Sequence, residues 1–212
     1  MKIYDLPQLV DFATREVTWR IREISDFRLS FANQTRASKA AQARAGVPLL
    51  YAHWEGYAKN CTIAYVQLVS SRRKRLDELG AGFWLAALRA PIDQLIARPF
   101  DKRTQMMVVD HVRQSGDRRF SSRAESIVDT KSNLSFSALQ EMGSVVDVNI
   151  NALIPEESFI DKVLLDRRNN IAHGQDVAID ENEFMDMSNR TIDIMRTYGN
   201  CVVDAAQRLL TN

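Results

Sequence analysis

The stretch DRRNNIAHG, residues 166–174, closes what otherwise reads as an amphipathic helix, and it contains two arginines, two asparagines and a histidine. Pro155 and two glutamates stand where that helix would begin, and Gly174 follows its end. These are the positions that capping and the helix dipole favour. The sequence therefore predicts a helix from about 156 to 173 that ends in a polar cluster.

This helix has two distinct faces if each residue advances by about 100°. The face predicted to contact the core holds Ile160, Val163, Leu164, Arg167 and Ile171. A second sector, roughly 140° away, holds Leu165, Arg168, Asn169, Ala172 and His173. Because this second face mixes apolar and polar groups, we expect two copies of the helix to lie near the axis of a symmetric homodimer.

Arg167 is the anomaly on the core face, because a buried arginine is costly unless it is paired. We predict that Glu55 compensates it, and that removing either member of such a buried pair costs about 3 to 5 kcal/mol. The alternative for Glu55 is an exposed pair with Lys59, one helical turn away.

Apolar residues at three- and four-residue steps predict further long helices in the rest of the chain. We place one helix from residue 5 to about 31, a second from Pro48 onward, and a third from about 181 to 210. The second helix has a stripe of apolar residues that we expect to be buried. The stripe of the second helix comprises Leu50, Trp54, Ala58, Cys61 and Tyr65. Glycines and prolines in the middle region permit only short helices, and KSNLSFSALQEM, residues 131–142, reads as a connector leading into one or two helical turns.

These patterns predict one all-α domain over residues 1–212, a bundle of about four long helices with short helices in the middle region. The net charge is +1, with 45% hydrophobic and 26% charged residues, which argues against a coat of non-specific nucleic-acid contacts. No signal peptide or membrane span is evident, so we expect a soluble, cytoplasmic protein. Cys61 and Cys201 are expected to be buried free thiols.

The polar cluster also resembles a known signature. RRNNIAHG is similar to the Arg-Asn-x-x-x-His motif of the HEPN superfamily, which comprises small all-helical domains. LLYAHWEGYAKN, residues 49–60, and KSNLSFSALQEM are similar to its MAE-type branch, often proposed to contain defence or toxin nucleases. The middle region, 72–130, departs from the pattern, and no role is carried over to it.

The resemblance implies a helical bundle, a homodimer that brings two motifs together, and metal-independent cleavage of RNA. Carried over to this sequence, the motif residues are Arg168, Asn169 and His173, with Arg167 also within permitted spacing. The setting implied is a toxin–antitoxin or antiphage system, with an antitoxin or other defence protein as a possible partner.

The residue types suit that chemistry. Histidine exchanges protons near neutral pH, and arginine presents a fork that matches phosphate oxygens. The three histidines and two cysteines are far apart in sequence, so we expect no metal and no cofactor. Cleavage would then use the 2′-hydroxyl of RNA as nucleophile, and Asn169 would hold the imidazole or a phosphate oxygen.

Other interpretations stay open at this point. His173 and Gly174 also fit an ordinary helix end, and the domain could be an inactive dimerisation or nucleotide-binding module that regulates a partner protein. His53 fits a core histidine with a hydrogen-bonded partner better than a catalyst. The basic runs around 71–75 and 117–123, which include Arg118 and Arg119, are either solvated surface or a track for phosphates.

Overall fold

The computed structural model describes residues 2–32, 34–121, 127–128 and 133–211, and most of them are helical. The α-helices are α1 (Leu6–Leu29), α2 (Arg36–Arg72), α3 (Ala81–Ala97), α4 (Lys102–Ser115), α5 (Phe136–Val145), α6 (Arg167–Ala172) and α7 (Glu181–Thr211). Within these described ranges there is no β-strand, only an isolated bridge between Arg75 and Arg119. The predicted all-α fold class is confirmed.

Helices α1, α2 and α7 pack against one another and form the centre of the bundle. The stripe predicted on α2 is confirmed, since Leu50, Trp54, Ala58, Cys61 and Tyr65 are all buried. Trp54 packs edge-on against Tyr198 of α7, with 6.0 Å between the ring centroids. Cys61 and Cys201 are buried free thiols, as predicted. No helix in the described part of the chain combines the length and apolar content that a membrane crossing requires.

Helix α2 begins twelve residues earlier than the sequence pattern suggests, so the prediction that Pro48 opens it is wrong. Its first turns are mostly exposed and therefore show no apolar periodicity, but they are rich in alanine, which favours a helix without burial. The Thr35 side chain accepts the backbone N–H of Ser38 and caps the true start. Pro48 lies inside the helix, where it removes one backbone hydrogen bond.

The middle region forms a hairpin of two helices, α3 and α4, which we call the α3–α4 hairpin (residues 81–115). The prediction that this region permits only short helices is wrong, because α3 has 17 residues and continues through Pro91, and α4 has 14. Phe83 fixes its base by packing edge-on against Phe120, with 5.1 Å between the ring centroids. Gly82 lies against α5 so closely that a methyl group there would overlap the backbone of Val145. Phe83 is the one buried residue in the seventeen of α3, so the rest of the hairpin contributes little to the core.

The connector predicted at 131–142, of which 131 and 132 lie outside the described residues, leads into a helix as predicted, and this helix is about one turn longer than the two turns expected. Helix α5 is ten residues long, and the Ser135 side chain caps it by accepting the N–H of Ala138. The Oδ1 atom of Asp161 accepts the N–H of Phe136 at 2.7 Å. This bond ties the start of α5 to the segment that precedes the polar cluster.

The single helix predicted from 156 to 173 consists of three different helical forms. A 3-10 helix (Asn151–Glu156) contains Pro155, a π-helix (Phe159–Asp166) follows it, and α6 (Arg167–Ala172) completes the segment. A π-helix closes its hydrogen bonds over five residues instead of four, so each residue advances by less than the α-helical 100°. The predicted core face is confirmed, since Ile160 and Leu164 are buried and Val163 and Ile171 pack against the core, but Leu165, which was placed on the second face, is buried as well.

Candidate functional site

The polar cluster ends in a regular helix termination. The N–H of Gln175 donates to the carbonyl of Asn170 at 2.9 Å, and the N–H of Gly174 donates to the carbonyl of Ile171 at 3.0 Å. Gly174 has a φ of +77°, which a glycine adopts without strain. Together these features make a Schellman motif, and they place His173 at the C-cap position.

Arg168 lies where three separate parts of the chain meet. Its Nη1 donates to Oδ1 of Asn133 at 2.9 Å and to Oδ1 of Asn169 at 2.6 Å. The guanidinium carbon lies 4.7 Å from the centroid of the Tyr51 ring, within the range of a cation–π contact. The guanidinium is therefore held from two directions.

Both of these hydrogen bonds use the same guanidinium nitrogen, Nη1. Within the described ranges, neither Nε nor Nη2 of Arg168 has a hydrogen-bond partner. Arg168 is partly exposed. The Nε–Nη2 edge has the spacing that binds two oxygens of one phosphate. The site thus presents a positioned, fixed positive charge with an edge available for an oxyanion.

His173 lies five residues after Arg168, and it is exposed. Its backbone N–H donates to the carbonyl of Asn169 at 2.9 Å. Among the residues that the structure describes, no side chain forms a hydrogen bond with the imidazole, so the ring is accessible to a ligand. Asn169 was expected to hold the imidazole or a phosphate oxygen, but its side-chain oxygen instead accepts from Arg168.

The predicted pairing of Arg167 with Glu55 is wrong. Arg167 forms an ion pair with Glu183 of α7, and its Nη1 also lies 3.7 Å from the sulfur of Met187. The side chains of Arg167 and Glu183 are 29% and 39% exposed, so this pair contributes about 1 kcal/mol or less to stability. Arg167 does lie against α7, one of the three central helices, so its predicted partner was wrong and its predicted face was not.

The basic residues predicted as a phosphate track lie elsewhere in the molecule. Nη1 of Arg119 donates to the carbonyl of Arg73 at 3.0 Å, and Nη1 of Arg118 lies 2.9 Å from Nε2 of His111. Both arginines are exposed, but both have structural partners beside the base of the α3–α4 hairpin. No contact connects them to Arg168.

His53 is buried, as expected for a core histidine. Its Nε2 lies 3.2 Å from Oε2 of Glu23 without the alignment of a hydrogen bond, and burial lowers its pKa despite that carboxylate. A buried imidazole kept neutral between α1 and α2 has no geometric connection to the Arg168 site.

Tyr51 is the main residue of the site that motif reasoning missed. It is buried beneath Arg168, and its hydroxyl accepts the N–H of Leu134 at 2.6 Å. Burial raises the pKa of Tyr51 to about 12, and the negative charge of the neighbouring Glu55 carboxylate adds to that increase. The phenol is therefore neutral throughout the physiological pH range.

The sequence segments that supply these partners of Arg168 had already been singled out, but their contacts with Arg168 could not be read from the sequence. Tyr51 and Glu55 belong to LLYAHWEGYAKN, and Asn133 belongs to KSNLSFSALQEM. These are the two segments that supported the resemblance to the MAE-type branch. The fold brings residues from both segments to the arginine of the third, DRRNNIAHG.

Replacing Tyr51 with phenylalanine is expected to lower the free energy of unfolding by about 1 to 3 kcal/mol, because the N–H of buried Leu134 loses its partner. The aromatic ring stays beneath Arg168, so the cation–π contact remains. Urea denaturation measures the change. A Tyr4→Phe variant is the control, since Tyr4 is exposed and should unfold like the wild type. Equal stability of all three proteins would contradict the bond to Leu134.

Over the part of the chain that is described, no three His, Cys, Asp or Glu side chains come together in a group that could hold a metal ion. The DRRNNIAHG site itself offers a positioned arginine with two amide partners, and an exposed imidazole.

A protein-family model described as HEPN_MAE_28990-like HEPN matches residues 11–208. Comparisons with curated proteins and with solved structures gave no match. The matched range includes all three segments that meet at Arg168 and nearly all of the three central helices. The chain belongs to the HEPN_MAE_28990-like HEPN family.

Proposed function

We propose that this protein is a metal-independent endoribonuclease of a toxin–antitoxin or antiphage defence system. The observation that carries the proposal is the guanidinium of Arg168, which Asn133 and Asn169 hold in place five residues before the exposed His173. Membership of the HEPN family supports a nuclease or toxin-like role. The proposed site consists of Arg168, His173 and Asn169, with Tyr51 and Asn133 as positioning residues.

Each residue type has a defined part in the proposed reaction. The 2′-oxygen of the ribose attacks the adjacent phosphorus, the bond to the 5′-oxygen breaks, and the proton of the 2′-hydroxyl is removed as the leaving oxygen gains one. His173 carries protons in this exchange. Arg168 stabilises the extra negative charge of the phosphorane through its free edge. Asn169 and Asn133 keep the guanidinium in place.

The resemblance also implied a homodimer with two motifs close together, and Leu165 belongs to the face of the helix that was predicted to lie at its axis. Leu165 is only 8% exposed within a single chain, so it does not need a second copy to be covered. Ala172 is exposed. Pairing of two α6 helices remains a prediction, supported by the polar end of the helix and by Ala172.

The proposal predicts cleavage of RNA, but not of DNA of the same sequence, because DNA lacks the attacking hydroxyl. Purified protein is incubated with mixed-sequence RNA and with matched DNA in excess EDTA, and the ends of the products are analysed. We expect 2′,3′-cyclic phosphate and 5′-hydroxyl ends. Cleavage of DNA, or activity that appears only with added magnesium, would overturn the proposed mechanism.

An inactive regulatory module is the second candidate. The observation that favours it is the complete Schellman motif at residues 170–175, which explains the histidine and glycine without any chemistry. Expression in cells separates the two candidates. Growth arrest by the wild type, but not by a His173→Ala variant, supports the nuclease, and no arrest by either supports the module.

A further inference from the structure

The turn that follows the polar cluster, residues 173–178, has little contact with the rest of the molecule. Within this turn only Val177 packs partly against the core, and the next buried residue is Ile179. A methyl group at Gly174 would meet nothing within 4 Å. Because His173 is the first residue of this turn, its position depends on what holds the turn in place.

One side chain from another helix reaches this turn. Nη2 of Arg44, in α2, donates to the backbone carbonyl of Gln175 at 2.6 Å. Within the described ranges, no other side chain forms a hydrogen bond with the backbone of residues 173–178. The remaining hydrogen bonds of the turn, from the N–H groups of residues 173–175, are made to α6 itself. Arg44 therefore provides the polar connection between this turn and the centre of the bundle.

Arg44 projects from a part of α2 that is fixed in the core. Val47, one turn later, is fully buried. Gly46 lies so close to Phe27 of α1 and Phe184 of α7 that a methyl group there would overlap both rings. At this point α2 is packed against both of the other central helices, so the backbone of Arg44 cannot follow a turn that moves.

The guanidinium of Arg44 is bound to the turn through Nη2 alone. Its Nε is buried and, among the described residues, has no hydrogen-bond partner. A buried donor without a partner is unfavourable, so a fold that retains one has another reason to keep the group in place. The bond from this charged donor to the carbonyl of Gln175 supplies that reason, because charge-assisted hydrogen bonds are the stronger ones.

We propose that Arg44 is a positioning residue of the RNA-cleaving site, because it fixes the turn that carries His173. The inference rests on the proposed function, in which His173 carries protons. A proton carrier has to stay within hydrogen-bond reach of the oxygen that it serves, and a displacement of about 1 Å can lower a rate by about a hundredfold. Arg44 thus holds the histidine end of the motif, as Asn133 and Asn169 hold Arg168 at its other end.

Direct binding of RNA is the alternative role for Arg44, and the charges beside it argue against that role. Arg44 lines a groove of about 720 Å³ between the start of α2 and the segment that leads into α7. The α2 side contributes three basic residues, Arg36, Lys39 and Arg44. The opposite side contributes four carboxylates, from Asp176, Asp180, Glu181 and Glu183. Phosphates would be repelled along that wall, so the groove is a poor path for RNA.

Two variants that keep the aliphatic stem of Arg44 test the proposal. Arg44→Met removes every donor, whereas Arg44→Lys keeps an ammonium group, which is sufficient for a single carbonyl. We expect Arg44→Met to lower kcat for RNA cleavage by about tenfold or more, with KM within about twofold of the wild type. Arg44→Lys should regain most of kcat, in contrast to Arg168→Lys, because only one oxygen has to be bound.

Amide hydrogen exchange of the turn, measured on the same proteins, does not depend on activity. The N–H groups of Gly174 and Gln175 both donate to carbonyls of α6, so their exchange reports opening of the turn. We expect exchange to be about tenfold faster or more in Arg44→Met and close to the wild type in Arg44→Lys. Arg36→Met is the matched control, since Arg36 is exposed in the same helix and lines the same groove but does not contact the turn.

The combined results separate the possible outcomes. Unchanged exchange in Arg44→Met, or faster exchange without a fall in kcat, would overturn the proposal. A higher KM in both Arg44→Met and Arg36→Met, with kcat unchanged, would show instead that the groove binds RNA. A wild type that cleaves no RNA would contradict the proposed function, and exchange alone would then decide whether Arg44 holds the turn. Circular dichroism checks folding, and Arg44→Gln, which is too short to reach the carbonyl, replaces Arg44→Met if that variant does not fold.

Discussion

Replacing His173 with alanine is expected to lower the rate of RNA cleavage by about two orders of magnitude or more, and Arg168→Ala by a similar factor. The first change removes the proton carrier, and the second removes the charge that stabilises the phosphorane. His173 is exposed and Arg168 partly so, so neither change should unfold the protein. Initial rates on a fluorescent RNA, with melting curves in parallel, measure both effects.

Arg167→Ala is the matched control for these variants. Arg167 is the neighbouring arginine in the same helix, but it is paired with Glu183 on α7 and takes no part in the proposed site. Its loss should leave the rate within a few-fold of the wild type. Arg168→Lys should restore only part of the activity, because an ammonium group cannot bind two oxygens as the guanidinium fork does. If both alanine variants keep the wild-type rate, DRRNNIAHG is only a helix end.

Replacing Gly82 with alanine is expected to lower the free energy of unfolding by about 3 kcal/mol, the upper part of the range for overpacking. The added methyl group would overlap the backbone of Val145, which cannot rotate away as a side chain can. Gly116→Ala is the control, because Gly116 has right-handed helical angles and its nearest neighbour, an atom of the Trp84 ring, would lie 4.0 Å from the methyl group. This change should be neutral or stabilise by about 0.4 to 1 kcal/mol.

Chemical denaturation of the wild type and of the Gly82→Ala and Gly116→Ala variants measures these changes in the free energy of unfolding. Equal stability of the Gly82→Ala and Gly116→Ala variants would show that α3 does not approach α5 as closely as described.

The long helices were predictable because their burial follows their sequence periodicity. Helix α7 was placed within one residue at each end, and its buried residues recur at helical spacing. The start of α2 was not predictable in this way, because its first turns are mostly exposed and depend on alanine propensity and on the Thr35 cap. Apolar periodicity reports burial, so a helix that extends into solvent goes undetected.

The motif residues of the site could be predicted from the sequence, but the residues that contact Arg168 could not. Arg168, Asn169 and His173 could be carried over from the resemblance, residue by residue. The contacts of Arg168 with Tyr51 and Asn133 span 117 and 35 residues of sequence, and no local pattern reports such a distance. Arg167 was placed on the correct face, but no local pattern showed that its carboxylate partner would be Glu183 of α7.

The direction in which the Arg168 side chain points depends on the number of residues in the π-helix before it, more than on which residues these are. Removing a single residue between Phe159 and Asp166 would let that segment relax toward an α-helix, and it would turn everything after it by about 100° relative to the core. Arg168 would then leave the Tyr51 ring, although every motif residue would still be present in the correct order. Within this family, a chain that retains the arginine and histidine but lacks one residue upstream would carry the signature without the site.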